Sequence, residues 1–305
     1  MTSSPGKVVL VATPIGNLGD LSVRAIETLR AADLVCCEDT RRARALMSAA
    51  GVAGGGRLRS LHAHNELART PALLAAASAG KTVAVVTDAG MPAISDPGAR
   101  LVAAAVHAGV PVTVVPGPSA VLAALVVSGL PTDRFCVEGF LPRSGGTRRR
   151  RLDAVMSDPR TTVMLESPHR LASTLDDLAA RAPQREVVVC RELTKLHEEV
   201  WRGTASEAAG HFSSRDVRGE VVVVVAGSRE RGGASDQDAG SRGPPSDEEL
   251  AGAVVAELAA TGSVRDAAAA VAAQLGVSRR VAYRAAVAAR EGRASGRRGQ
   301  RPSER

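Results

Sequence analysis

Aromatic residues are scarce in this chain of 305: Phe135, Phe140, Trp201, Phe212 and Tyr283 are all it has. Reading nucleic-acid bases by stacking needs aromatic platforms, so that mode of recognition is disfavoured. Lysine is confined to Lys7, Lys81 and Lys195, and arginine supplies the rest of the 39 cations. None of the four cysteines, Cys36, Cys37, Cys136 and Cys190, forms a C-x-x-C pair. Each lies in or beside an apolar run, which suits buried reduced thiols in a cytosolic protein. No apolar run approaches the roughly 18 residues that suggest a membrane span. The N-terminus enters a strand without the charged-then-apolar layout of a secretion signal. Together these absences argue against a membrane or secreted protein and point to the cytoplasm.

What is present is an aliphatic core: 45% of residues are apolar, and with so few aromatics they must be chiefly Val, Leu and Ala, as in buried parallel strands covered by helices. Lys7–Ala12 reads as the first strand, followed by a Gly/Pro-rich loop, a helix over Leu21–Ala32 and a strand at Leu34–Cys37. The rhythm continues through a helix near Pro71–Ala79, a strand at Thr82–Thr87, a helix over Ala99–Ala108 and a strand at Pro111–Val115. Such alternation implies a mainly parallel sheet. Past the hinge Pro116–Gly117–Pro118, strands near Phe135–Glu138, Thr161–Glu166, Glu186–Arg191 and Glu220–Ala226 follow with little room for full helices, which predicts a mixed sheet. The expected fold class is therefore α/β: one domain over 1–116, a second over 117–228, and a polar linker over 229–245. A helical module resembling a helix-turn-helix, opened by a Ser246/Glu249 capping box, is expected over 246–292, and a disordered basic tail over 293–305.

Three loops carry the candidate chemistry. The first, TPIGNLGD, follows strand one, where doubly wound sheets hold ligands. Glu38 and Asp39 lie about 20 residues on, where a dinucleotide-binding protein keeps its ribose acid. Yet Gly16 and Gly19 stand three apart and Pro14 intrudes, so a pyrophosphate cradle is a poor reading. The second loop, TDAGMPAISDPG, packs Gly90, Pro92, Pro97 and Gly98 beside two aspartates, and so exposes backbone groups with few bulky side chains. In the third, VVPGPSAVLAALVVSGLP, Ser119 opens a helix whose free amides face a ligand.

In this order and spacing the three loops resemble the tetrapyrrole methylase family over roughly Val8–Gly227. EDTRR at Glu38–Arg42, HAHNE at His62–Glu66, EGFLPR at Glu138–Arg143, LESPHRL at Leu165–Leu171 and RELTKLHEEVWRG at Arg191–Gly203 resemble its branch of 16S ribosomal RNA 2′-O-methyltransferases. The resemblance implies two α/β domains with a donor cleft between them, a homodimer, and S-adenosylmethionine as methyl donor. It also implies as acceptor a cytidine ribose in the decoding region of 16S rRNA or the small ribosomal subunit. By matching positions, the donor is expected against Ile15, Ala89, Gly90, Met91, Ile94, Ser119 and Ala120, and from the second half Leu165, Glu166 and Thr194.

Methyl transfer to a ribose hydroxyl releases a neutral thioether, so no acid is needed and alignment is the largest contribution. The hydroxyl does need its proton removed or polarised, for which Asp39, His64, Glu66, Lys195 and Glu198 are candidates. The plain alternative for Asp39 with Arg41 is an ion-paired strand end, and for Lys195 a surface pair with Glu198 or Glu199. His62 and His64 with Glu66 are too few for a metal site, and no metal is expected. A net charge of +7 suits a polyanion, with Arg41 and the run Arg143, Arg148, Arg149, Arg150 and Arg151, expected on a loop, as phosphate contacts. Two other functions stay open: a corrinoid-precursor C-methyltransferase on the same scaffold, and a ribosomal RNA-binding factor without turnover.

Overall fold

The computed structural model describes residues 6–228 and 246–296, apart from Gly276 and Ser278. The chain divides into two compact units, Met1–Ser228 and Arg229–Arg305.

The first unit begins with a sheet of β1 (Lys7–Val11), β2 (Leu34–Cys37), β3 (Leu58–Ser60), β4 (Thr82–Val85) and β5 (Val112–Val115). Their order is β3-β2-β4-β1-β5, and every pairing is parallel. The helices α1 (Val23–Ala31), α2 (Thr40–Ala49), α3 (Glu66–Ser78) and α4 (Ala99–His107) connect them. Side chains alternate along a strand, so β1 feeds two cores. Val9 and Val11 pack with Leu29 and Met47, while Val8 packs with Leu73 and Leu101. Ser22 caps α1 by accepting from the Ala25 amide at 3.1 Å, the kind of polar stop that starts a helix after a loop.

The second sheet follows α5 (Ala120–Ser128) and is built from β6 (Phe135–Phe140), β7 (Thr161–Glu166), β8 (Glu186–Arg191), β9 (Glu199–Thr204) and β10 (Val221–Val225). In the order β6-β7-β10-β8-β9, only β6 and β7 run parallel. This is the mixed sheet expected, but for a different reason. Full helices do fit between its strands: α6 (Gly145–Ser157), α7 (Leu171–Arg181) and α8 (Ala205–Phe212). The arginine run is therefore helical, not a loop. Its inward stripe is Arg148, Leu152 and Val155, and a buried arginine at the head of that stripe hides the apolar periodicity from a sequence reading. At the centre of the sheet, β10 is five consecutive valines, all buried.

In the second unit, α9 (Asp247–Thr261), α10 (Val264–Leu275) and α11 (Arg279–Gly296) close on Val254, Leu258, Ala267, Val271, Ala282 and Ala286. The Ser246/Glu249 capping box forms at its start. Helix α11 continues past Arg290 to Gly296, no proline interrupting that stretch. The linker over 229–245, the last residues 297–305 and most of the turn Gly276–Ser278 lie outside the described residues. Among the described residues no helix is long and apolar enough to cross a membrane.

Candidate functional site

Three loops converge on Gly90. After β1, the Thr13 amide donates to the Gly90 carbonyl at 2.9 Å and the Gly90 amide returns a bond to Thr13 at 3.1 Å. The Thr13 hydroxyl, fully buried, donates to the Thr87 carbonyl at 3.1 Å. Gly90 itself sits at φ 82°, where side-chain-bearing residues are strained. A Cβ there would lie 3.4 Å from Ile15 Cγ2 and 3.7 Å from the Pro118 carbonyl. Loop one, loop two and the hinge thus meet within one van der Waals shell. Ser119 then caps α5 through the Leu122 amide at 3.4 Å.

Around this junction lies a cavity of about 420 Å³, within the span of about 300–1,000 Å³ usual for small-molecule sites. It gathers nine of the ten residues expected at the donor: Ile15, Ala89, Gly90, Met91, Ile94, Ser119, Ala120, Leu165 and Glu166. Thr194 is not among the lining. It sits at φ 68° with its amide donated to Glu198 Oε2 at 2.6 Å. Four carboxylates, Asp88, Asp96, Glu166 and Glu220, line the cavity; Asp88 is paired with Arg42 at 3.1 Å, Glu166 with Arg170 at 3.4 Å and Glu220 with Lys195 at 3.1 Å, none of these cations being among the lining residues. The lining residues themselves offer no cation to a phosphate. That adds to the glycine spacing against the dinucleotide reading.

Asp96 is the functional candidate that the motif reading passed over. Burial pushes its carboxyl above the ordinary aspartate range and the charge of Asp88 adds to this, with Thr87 acting the other way. It lies in the ISDPG stretch already marked as unusual, so the signal was present, but the loop drew notice for its turns and not for its acids. Phe140, on the exposed end of β6, also borders the cavity.

The candidates for proton removal fall into different places. Asp39 caps α2 and is bonded by Arg41 three ways, by its amide, Nε and Nη2. Those bonds hold its carboxyl down at about 2, so it is a weak base, as the ion-paired alternative had it. His64 is exposed, 6.0 Å from the His62 ring. Lys195 Nζ is shared between Glu192 at 2.9 Å and Glu220 at 3.1 Å. Partial burial lowers its affinity for a proton, but the two carboxylates outweigh this and raise it. Its stem lies against Gly16, whose Cβ would come within 2.4 Å of Lys195 Cγ. Glu198 is exposed and spends an oxygen on Thr194. Glu66 is buried under α4 and does not line the cavity.

Glu166 lines the cavity but its oxygens are occupied. Oε2 accepts from Thr174 at 2.6 Å, and Oε1 from the Ser167 amide at 2.8 Å with Arg170 Nε at 3.4 Å. Arg148 belongs to the same buried network, donating to Thr174 at 2.9 Å and to Asp177 at 2.9 and 3.1 Å. With 8% exposure, Arg148 is structural and is removed from the phosphate-contact set. Arg143, Arg149, Arg150 and Arg151 remain exposed, Arg151 beside Glu138. Arg41 is exposed too, paired with Asp39. Among the described residues no cluster of three or more His, Cys, Asp or Glu is arranged to hold a metal.

Residues 7–209 match the tetrapyrrole (corrin/porphyrin) methylases. The chain belongs to that family. It is 47% identical over 225 residues to a ribosomal RNA small subunit methyltransferase I from Mycobacterium tuberculosis, an alignment covering 73% of this chain and 79% of that one. The protein of the same name from Thermotoga maritima is 46% identical over 222 residues, 73% of this chain and 99% of its own length. That relative is thus little more than the matched part, without room for a module like α9–α11. Among solved structures, a uroporphyrin-III C-methyltransferase from Thermus thermophilus, complexed with S-adenyl homocysteine, shares the fold at 23% identity and a TM-score of 0.50. The match covers 72% of this chain and 97% of that one. The tetrapyrrole methylase fold, with one parallel and one mixed sheet, is what the three loops had implied.

Proposed function

We propose that this protein transfers a methyl group from S-adenosylmethionine to the 2′-hydroxyl of a cytidine ribose in the decoding region of 16S rRNA. Its place among small-subunit ribosomal RNA methyltransferases rests on relatives 44–47% identical over most of the family domain. The observation that carries the donor assignment is the cavity wall: backbone around Gly90, whose φ of 82° strains any residue with a side chain, and four carboxylates among lining residues that include no cation. These residues fit a sulfonium nucleoside.

Bound S-adenosylmethionine supplies an activated methyl group and leaves as a neutral thioether. The chain's own task is alignment and proton removal. Good alignment of bound partners supplies about 7–11 kcal/mol of barrier lowering. Asp96, on the cavity wall with a raised proton affinity, accepts the hydroxyl proton. Asp88, paired with Arg42 at 3.1 Å, lies on the same wall. Incubating the protein with small ribosomal subunits and labelled donor should place the label on a cytidine 2′-oxygen of 16S rRNA by mass mapping. Label on a corrinoid precursor instead would favour the C-methyltransferase reading, and donor binding without transfer to any RNA the non-catalytic one.

The exposed arginines Arg143, Arg149, Arg150 and Arg151 on and before α6, with Arg41 on α2, are the phosphate contacts of this reading. Arg149→Ala with Arg150→Ala should weaken RNA binding and reduce the salt slope by roughly 0.7–0.9 per lost contact, read from affinities between low and high salt. An unchanged slope would remove α6 from the interface.

The protein acts as a homodimer in the cytoplasm in this account. Helix α5 is apolar on all sides, with Leu122 51% and Val126 74% exposed, and Phe135 and Val137 on β6 are exposed as well. Large apolar side chains left this exposed suit an interface. Val126→Asp is expected to convert a dimer to a monomer in light scattering, and a wild-type monomer would contradict the assignment.

A further inference from the structure

Glu66 opens α3 with its side chain buried to 5% exposure, and its partners are backbone amides. Gly98 at 3.0 Å, Arg100 at 2.9 Å and Leu101 at 3.2 Å all donate to Oε1. Those three amides are the free donors at the start of α4, which a helix normally satisfies with its own capping side chain. Here the capping position is Gly98 at φ 124°, a conformation that residues with a side chain avoid. The shape of the loop thus forbids a local cap, and α3 supplies a carboxylate from 32 residues away.

The HAHNE stretch builds this device. The Asn65 and Glu66 amides both donate to the His62 carbonyl at 2.9 Å, and Asn65 Oδ1 accepts from the His62 amide at 2.8 Å. That turn starts α3 with Glu66 beneath α4. What it secures is the far end of the loop Asp88–Gly98, whose near end is tied by the Thr13–Gly90 pair. Between the ties, Ala93 at φ 68° and Ser95 at φ 61° adopt the left-handed region without being glycine. Conformations of that kind persist only where the surroundings enforce them. One residue, Pro97, separates Gly98 from Asp96.

We propose that Glu66 is a positioning residue for methyl transfer: by holding Gly98, Arg100 and Leu101 it keeps the strained loop that carries Gly90, Met91 and Asp96 in its working shape. This rests on the donor assignment above and gives Glu66 a role other than proton acceptor. Because all three bonds end on one oxygen, glutamine at this position can still make them.

Donor affinity by calorimetry, and kcat and KM against small subunits, should be measured for wild type, Glu66→Gln and Glu66→Ala well below each melting temperature. Glu66→Gln is expected to stay within about threefold of wild type in donor Kd and kcat, with the acid limb of its pH profile unmoved. Glu66→Ala should bind donor at least about tenfold more weakly, a loss of roughly 1.4 kcal/mol. If Glu66→Ala does not fold, Glu66→Asp, one methylene short of the amides, takes its place with the same expectation. A folded Glu66→Gln that binds donor but has lost turnover would overturn the proposal in favour of a base. An alanine or aspartate variant with wild-type donor affinity would overturn it in favour of a stability role alone. Wild-type protein that binds no donor would instead defeat the donor assignment.

Discussion

Asp96→Asn is expected to lower kcat by about 10²–10⁴-fold, the usual contribution of a positioned base, while donor affinity stays close to wild type. Asparagine preserves the size and polarity of the cavity wall but cannot take a proton from the acceptor hydroxyl. The sign of the pH dependence follows from the raised proton affinity of Asp96. The base works when ionised, so wild-type turnover should fall on acidification, at a pH above the range of an ordinary aspartate. Asp39→Asn is the informative contrast. Its carboxyl is held at about 2 by Arg41, so it is ionised throughout that window, and its loss should touch the α2 cap without moving the acid limb. Rates measured with saturating donor separate the two, and equal losses would remove Asp96 from the chemistry.

Arg148→Leu should destabilise the first unit by about 2–4 kcal/mol, through what it leaves behind. The guanidinium satisfies Thr174 and Asp177, donates to the Pro142 carbonyl at 3.3 Å, and through Thr174 touches Glu166 on the cavity wall. Leucine fills the space but withdraws the donors to the Thr174 hydroxyl and to Asp177 Oδ2, while Arg170 still serves the Pro142 carbonyl and Arg181 the other Asp177 oxygen. The neighbouring Arg149 and Arg150 are exposed, so their alanine variants should unfold at nearly the wild-type denaturant concentration. Equilibrium unfolding in urea compares them directly. An Arg148 variant as stable as wild type would return that residue to the RNA-binding set.

How much of this was legible in the sequence depended on how locally each feature is encoded. The parallel sheet announced itself because each strand is a short aliphatic run with a polar helix start after it, as at Ser22. The loops that line the cavity were marked by their glycines, prolines and the Ser119 helix start, and their residues were assigned through the family resemblance. Helix α6 was not legible, since its inward stripe begins with a charged residue whose partners, Thr174 and Asp177, are supplied by α7. Glu66 was taken as a proton acceptor and Asp96 passed over for the same cause. A carboxylate looks alike in sequence whether it binds three amides 32 residues away or faces an open cavity, and only the fold distinguishes them.

A crystal structure of the full chain grown with S-adenosyl homocysteine tests the central claim most directly. The nucleoside should occupy the cavity, against Gly90, Met91 and Ser119, with Asp96 open to the space beside the sulfur. A nucleoside bound elsewhere, with those residues untouched, would contradict the account.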